Sequence, residues 1–398
     1  MSKMLYKGVC DMRKTLNVGL VGYKFMGKAH SNAYRQLGIF FDASADVTLK
    51  AICGREAEAL KKAADQFGFE SCETSWEALI GRTDIDIIDI TSPSNYHKQV
   101  AVAAANAKKH VFCEKPLALN ASDAKEMLQA AKDNGIKHQI GFNYRFAPAV
   151  LAIKNLIASG QLGTIFHFRG RYLQDFIIDP SFPLIWRLDK NVAGSGALGD
   201  LGAHVIDLAR FLVGEFDNVC GMCKTFIKQR PIVENMTGLS GSASQNKKMG
   251  DVTVDDAAAF MIEFENGAIG HIEASRFAAG SKNALSFEIN GSKGSVRFAL
   301  ERLNEFEYYN EADGDGYKGF RTILATEPSH KYIDRWWPAG HIIGYEHTFV
   351  HEFYEFVEAI TNDTETSPDF YDGYKCCQIL DAVEASAKER VWVKVSEI

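Results

Sequence analysis

The run Gly196-Ala-Leu-Gly-Asp-Leu-Gly-Ala-His-Val-Ile-Asp207 holds the residues best suited to moving a proton. At about 100° per residue, Asp200, His204 and Asp207 fall on one helical stripe, while Leu201, Val205, Leu208, Ala209 and Leu212 make another. An imidazole titrates near neutrality, so His204 can take or give a proton. Asp200, one turn earlier, can fix its tautomer or bind a substrate hydroxyl. The polar stripe is expected to face a cleft and the apolar stripe a core, with Asp207 serving structure. A second amine of interest, Lys115, stands between Glu114 and Pro116 at a strand end. Gly22-Tyr-Lys-Phe-Met-Gly27 is a glycine-cornered turn opening a helix, suited to a diphosphate. Lys24 stands where such turns place their middle glycine, with Phe25 and Met26 beside it.

The elements that must carry these residues alternate through the first third of the chain. Apolar runs at 16–22, 47–54, 84–91, 110–116 and 137–142 read as buried strands, and the amphipathic stretches between them as helices. This implies right-handed crossovers and an α/β, doubly wound Rossmann domain over 15–142, with ligands at the carboxyl ends of its strands. A carboxylate after the second strand would normally hold an adenosine ribose. Gly54 and Arg55 stand there instead, and a guanidinium without that carboxylate admits NADP as well as NAD.

From about Gly163 the pattern turns to strands, with a hairpin signal at Asn266-Gly267. Residues 143–398 are therefore expected to form an α+β domain with a large, mostly antiparallel open sheet. Alternation of Phe260, Ile262 and Phe264 with Met261 and Glu263 leaves one sheet face in need of a partner. Stretches 236–256 and 311–319 read as long loops, and 345–361 and 371–389 as helices packing back on the body.

At 398 residues the chain exceeds the usual reach of one hydrophobic core. Its 44 basic and 51 acidic residues give a net charge of -7 without a long basic run, which argues against nucleic acid. Neither a secretory leader nor an apolar run of about 18 residues is present, so a cytoplasmic protein with no membrane contact is expected. The eight cysteines read as reduced thiols. Cys220 and Cys223 have metal spacing without a second ligand pair, and no metal is expected.

Thr91-Ser-Pro-Ser-Asn-Tyr-His97, Cys113-Glu-Lys-Pro-Leu-Ala118, the GYKFMG turn and the Asp-x-x-x-His at 200–204 together resemble the glucose-fructose oxidoreductase, inositol dehydrogenase and rhizopine-catabolism family, Gfo/Idh/MocA. The resemblance spans nearly the whole chain. It implies an NAD- or NADP-dependent oxidoreductase acting on a sugar or cyclitol, and a homodimer or homotetramer built through the open sheet. By the same resemblance Lys115, Asp200 and His204 are catalytic or bind substrate. Glu114 faces the nicotinamide-side ribose, Thr91, Ser92, Pro93, Asn95 and His97 run along the cofactor cleft, and Asn143, Tyr144 and Arg145 continue its wall. FRGRYLQDF (168–176), the stretch 183–207 and WWPAGHIIGYEHTF (336–349) are similar to the levoglucosan dehydrogenase branch of that family, whose members oxidise the C3 hydroxyl of an anhydro-pyranose. That likeness implies that Trp186 and Arg187 reach cofactor or substrate and that Gln174 contacts substrate. Trp337 and His341, beside Trp336, are candidates for a sugar-stacking wall.

Oxidising a secondary alcohol requires a neutral base within hydrogen-bond reach of the hydroxyl while hydride leaves its carbon. Lys115 and His204 are both candidates for it. Inositol dehydrogenase, a sugar reductase, a coenzyme-recycling lyase or glycosidase, and a non-catalytic nucleotide sensor are the competing readings. Retention of Lys115, Asp200 and His204 together disfavours the sensor, which needs a cleft but no base.

Overall fold

The computed structural model describes residues 13–232 and 248–398, and between them the backbone of 236–237 and 240–241. Of the loop expected over 236–256, residues 238–239 and 242–247 lie outside the described residues; Met236–Thr237 pairs with Ser240–Gly241, and Met249–Asp251 with Gln229–Pro231.

Six strands, β1 (Lys14–Val21), β2 (Ala45–Cys53), β3 (Ser71–Glu73), β4 (Ile87–Ile90), β5 (His110–Cys113) and β6 (His138–Ile140), pair in parallel in the order β3-β2-β1-β4-β5-β6. Their middles are apolar on both faces, as a sheet covered on both sides requires: Leu16, Val18 and Leu20 of β1 and Ile87, Ile88 and Ile90 of β4 are all buried. Only β3 went unanticipated, since three residues on an edge carry no apolar run. Between the strands lie α1 (Phe25–Phe40), α2 (Ala57–Phe67), α3 (Trp76–Ile80), α4 (His97–Asn106) and α5 (Ala121–Asn134). The strand order reverses between β1 and β4, which opens a crevice at their carboxyl ends.

After α6 (Pro148–Ala158), β7 (Ile165–Leu173) enters the centre of a nine-stranded sheet. On one side it pairs antiparallel with Ala284–Gly291, followed outward by Gly294–Ala299, Glu305–Asn310 and Arg321–Leu324. On the other side it runs parallel to Ile269–Ser275, followed by Ala257–Phe264, Phe216–Lys224 and the short Val393–Lys394. The hairpin at Asn266-Gly267 joins two of these strands as expected. One face packs against α8 (Ala203–Leu212), which follows the short α7 (Lys190–Ala193) and a π-helical turn at Leu198–Gly202. β7 has Gly170 directly beneath α8, where a Cβ would stand 2.4 Å from Val205 Cγ1. The other face carries Met222, Met261 and Ile269 exposed among charged residues.

The two C-terminal helices pack against the first domain. α9 (Tyr345–Asn362) sets Phe349, Phe353 and Phe356 into the core formed by β1, α1 and α2, while α10 (Phe370–Glu389) lies between α5 and the strand Phe216–Lys224. The seven described cysteines are unpaired. Among the described residues no helix is long and apolar enough to cross a membrane.

Candidate active site

A cleft of about 490 Å³ opens where the carboxyl ends of β1, β4, β5 and β6 meet α8 and the end of β7. Its walls include Phe25 and Met26 after β1, Thr91 and Ser92 after β4, Glu114 and Lys115 after β5, and Asn143 and Tyr144 after β6. From the second domain come Gln174, Trp186, Arg187, Asp200 and His204. The amine and the imidazole singled out from sequence therefore share one cavity.

Asp200 holds the cations of this cavity together. Lys115 Nζ donates to its backbone oxygen and to Oδ1, both at 2.9 Å, and Arg276 Nη2 donates to Oδ2 at 2.8 Å. Burial opposes the charge on Asp200, but Lys115, Arg276 and Arg187 override it and hold the carboxyl well below its usual range. Among the described residues Asp200 makes no hydrogen bond to His204, so of its two expected roles the tautomer-fixing contact is not made; its oxygens turn to Lys115 and Arg276. A π-helical turn at 198–202 also breaks the regular spacing between the two residues.

His204 has the opposite surroundings. Its ring lies 4.5 Å from Tyr144 and 5.9 Å from Tyr172, centroid to centroid, and among the described residues no group hydrogen-bonds either ring nitrogen. Burial first, then the charge of Lys115, hold its pKa well below that of a free imidazole. His204 is therefore a neutral acceptor with its nitrogens uncommitted. A chain of hydroxyl and amide groups continues the wall: Tyr144 and Tyr172 hydroxyls are 3.0 Å apart, and Tyr172 Oη and Gln174 Nε2 both donate to Asn283 Oδ1, at 2.6 and 3.0 Å.

The segment carrying Asp200 and His204 is anchored by Asp255, whose carboxylate accepts the amides of Gly196 and Leu198 at 2.7 and 2.8 Å. The preceding strap, which brings in Trp186 and Arg187, is held by the buried Arg230, donating to the carbonyls of Ile177, Asp179 and Phe182. Arg187 stacks over the Trp186 ring at 4.4 Å.

The dinucleotide turn fits its expected load. Gly22 has φ +106°, and a Cβ there would press to 2.9 Å from Thr91. Among the described residues no side chain caps the start of α1, and its first amides face the crevice without an acceptor from those residues. Lys24, exposed, is its N-cap residue. Gly54 lies under the ring of Tyr23, and Arg55 is exposed beside them.

Several expected wall residues do other work. Arg145 is buried, donating to Asp207 at 2.8 and 2.5 Å and to Asp372, so it braces α8 from behind and cannot reach substrate. Asp207 accordingly faces this brace and not the cleft. Trp337 and His341 lie outside the cleft: Trp337 is half exposed against Phe40 at the end of α1, and among the described residues the His341 ring bonds only the Pro338 carbonyl. His97 is buried with its ring between the carbonyls of Ser92 and Pro116, tying together two loops of the cleft. Asn95 is exposed, and neither it nor Pro93 joins the wall. Asn143 lines it while donating to Thr348 at 2.8 Å. Tyr172 went unselected although it shares a strand face with Gln174, a signal the two-residue period of β7 contains. Arg276 gave no such signal, being one residue past a strand end in a distant part of the chain.

Residues 16–142 match the family model for the oxidoreductase family with NAD-binding Rossmann fold, and residues 150–297 match the GFO/IDH/MocA C-terminal domain. The chain belongs to the Gfo/Idh/MocA oxidoreductases. Within that family it is 44% identical over 388 residues to levoglucosan dehydrogenase from Pseudarthrobacter phenanthrenivorans, covering 97% of this chain and 99% of the relative. It also resembles the crystal structure of an oxidoreductase domain protein from Kribbella flavida, with TM-score 0.91 and 45% identity over 96% of this chain and 99% of the other. The structure of levoglucosan dehydrogenase in complex with NADH and levoglucosan gives TM-score 0.91 and 44% identity, over 96% of this chain and 100% of that one.

Proposed function

We propose that this Gfo/Idh/MocA protein oxidises a secondary hydroxyl of a cyclic sugar, with levoglucosan and its C3 hydroxyl as the foremost candidate, using NAD or NADP. The observation that carries the reading is the pairing, in one cleft, of an uncommitted neutral His204 with a Lys115 fixed by Asp200. Residues 15–142 hold the dinucleotide along Gly22, Phe25, Met26, Thr91 and Ser92, and 143–398 supply most of the substrate wall. When bound, the nicotinamide supplies the hydride acceptor. His204 takes the hydroxyl proton. Lys115 has three N–H donors, of which two are spent on Asp200, leaving one for the same substrate oxygen. Gln174 and the Tyr172–Asn283 chain present donors and acceptors to the remaining hydroxyls, and Trp186 shields the ring from water.

Levoglucosan is favoured over open or charged substrates by the similarity to a dehydrogenase named for it. Arg55 is exposed, and among the described residues no carboxylate is hydrogen-bonded to it, so it can meet a 2'-phosphate. A second copy of the chain covers the open sheet face, where Met222, Met261 and Ile269 are exposed. The test is a panel of anhydro-sugars, pyranoses and cyclitols with NAD+ and with NADP+, followed by the absorbance of the reduced coenzyme. Turnover of levoglucosan is expected. Reduction by cyclitols alone would move the substrate class, and bound coenzyme with product but no net reduction would replace the reading with a coenzyme-recycling lyase or glycosidase.

A further inference from the structure

Beneath the cleft lies a charge cluster that the reaction just described does not use. His30, on α1, is fully buried. Its Nδ1 is 3.0 Å from both oxygens of Asp89 on β4, and its Nε2 is 3.1 Å from Glu114 Oε1 at the end of β5. The ring is enclosed by Phe112, Phe349 and Phe353, with centroids 5.4, 5.7 and 5.0 Å away. Carboxylates at both nitrogens and aromatic rings around them form an enclosure for a cation. Burial works against charge on His30, but Asp89 and then Glu114 more than offset it, bringing its pKa up to about 10.

Glu114 is the member of the cluster that reaches the cleft, beside Lys115. Its two oxygens are both fixed: Oε1 by His30 and Oε2 by the Lys115 amide at 3.0 Å. The third acid, Glu352 on α9, is fully buried, and among the described residues neither of its oxygens has a hydrogen-bond partner. Burial, and after it Glu114, push Glu352 well above the usual carboxyl range. His30 thus bridges two acidic side chains, and Glu114 is the one that shows at the cleft.

We propose that His30 is a positioning residue, an imidazolium that locks Glu114 as a fixed anion under the nicotinamide end of the cleft and so favours the oxidised, positively charged ring over the reduced, neutral one. The inference rests on the reading that this cleft takes the coenzyme. An anion held in a water-poor wall acts on a nearby cation far more strongly than one in solvent. His30 touches neither substrate nor coenzyme and acts only through Glu114.

The test compares dissociation constants for NAD+ and NADH in the wild type, His30→Asn, Glu114→Gln and the double variant. His30→Asn should weaken NAD+ by about tenfold and NADH by less than about threefold, a differential loss of ~0.7 kcal/mol or more. In the Glu114→Gln background the same substitution should leave the ratio of the two constants unchanged. A ratio unmoved by His30→Asn, or an effect undiminished without Glu114, overturns the proposal. An independent arm needs neither variant nor coenzyme: among the 11 histidines, one should keep both ring nitrogens protonated at about pH 8.5 in 15N spectra. Absence of any imidazolium there overturns the charge assignment. Failure to bind either dinucleotide would instead sink the coenzyme reading, and the spectra would still decide the charge on His30.

Discussion

The neutrality of His204 follows from what surrounds it. An imidazole beside two tyrosines, with no carboxylate among the described residues on either nitrogen and with the Lys115 charge nearby, has no reason to take up a second proton at neutral pH. The kcat/KM of the protein should therefore show no loss near pH 6.5 as pH falls; a base of depressed pKa stays neutral and active until lower pH. An acid limb at the pKa of free imidazole would contradict this. Sequence left open whether Lys115 or His204 is the base, because both types suit the work and only their partners separate them. Arg276, invisible in the sequence, is the other half of that separation. Arg276→Met should lower kcat/KM by about 10- to 100-fold, since Asp200 Oδ2 loses its partner and Lys115 its fixed position. Steady-state kinetics would check it against unchanged NADH binding.

At the scale of elements, placement of the site depends on backbone ends being satisfied from far along the chain. Asp255 receives two amides of the segment that carries Asp200, a service no local motif announces because 59 residues separate Asp255 from Gly196. Asp255→Ala should cost about 1–3 kcal/mol of unfolding free energy and lower kcat, as read by urea melts and initial rates. A fall in kcat without any change in stability would mean Asp255 acts on substrate directly. The alternating strands, the glycine turn and the helix with two faces were legible because each follows a local period. Arg145 misled for the same reason: next to Tyr144 on the chain, it points backward into Asp207 and Asp372. Trp337 and His341 misled because their order in the chain says nothing about which side of α1 the segment crosses.

Across the whole molecule, α9 seals the first domain with side chains from the end of the chain, and its polar contacts make stability depend on pH. Trp336 donates to His351 Nε2 at 2.7 Å and the other ring nitrogen meets the Phe146 carbonyl, so only the neutral ring satisfies both. Burial lowers the pKa of His351 to about 3 and that of His138 to about 4. Because these folded pKa values lie below the unfolded value near 6.5, their contribution is complete above that pH and is lost as pH falls, by roughly 1.4 kcal/mol per pH unit for each ring. Chemical denaturation at pH 7 and pH 5 should show the loss, and a smaller one in His351→Gln; equal stability at both would contradict the neutral assignment. The proposed pairing of two chains through the open sheet predicts that Met261→Glu with Ile269→Glu gives a folded protein of lower mass than the wild type by light scattering; equal masses would contradict that pairing. The central claim, that His204 takes the proton while Lys115 holds the oxygen, is tested most directly by the single-turnover rate of coenzyme reduction in His204→Gln. We expect that rate to fall by about 10²- to 10⁴-fold with the dissociation constant of NAD+ unchanged. A rate within about threefold of wild type would contradict the account.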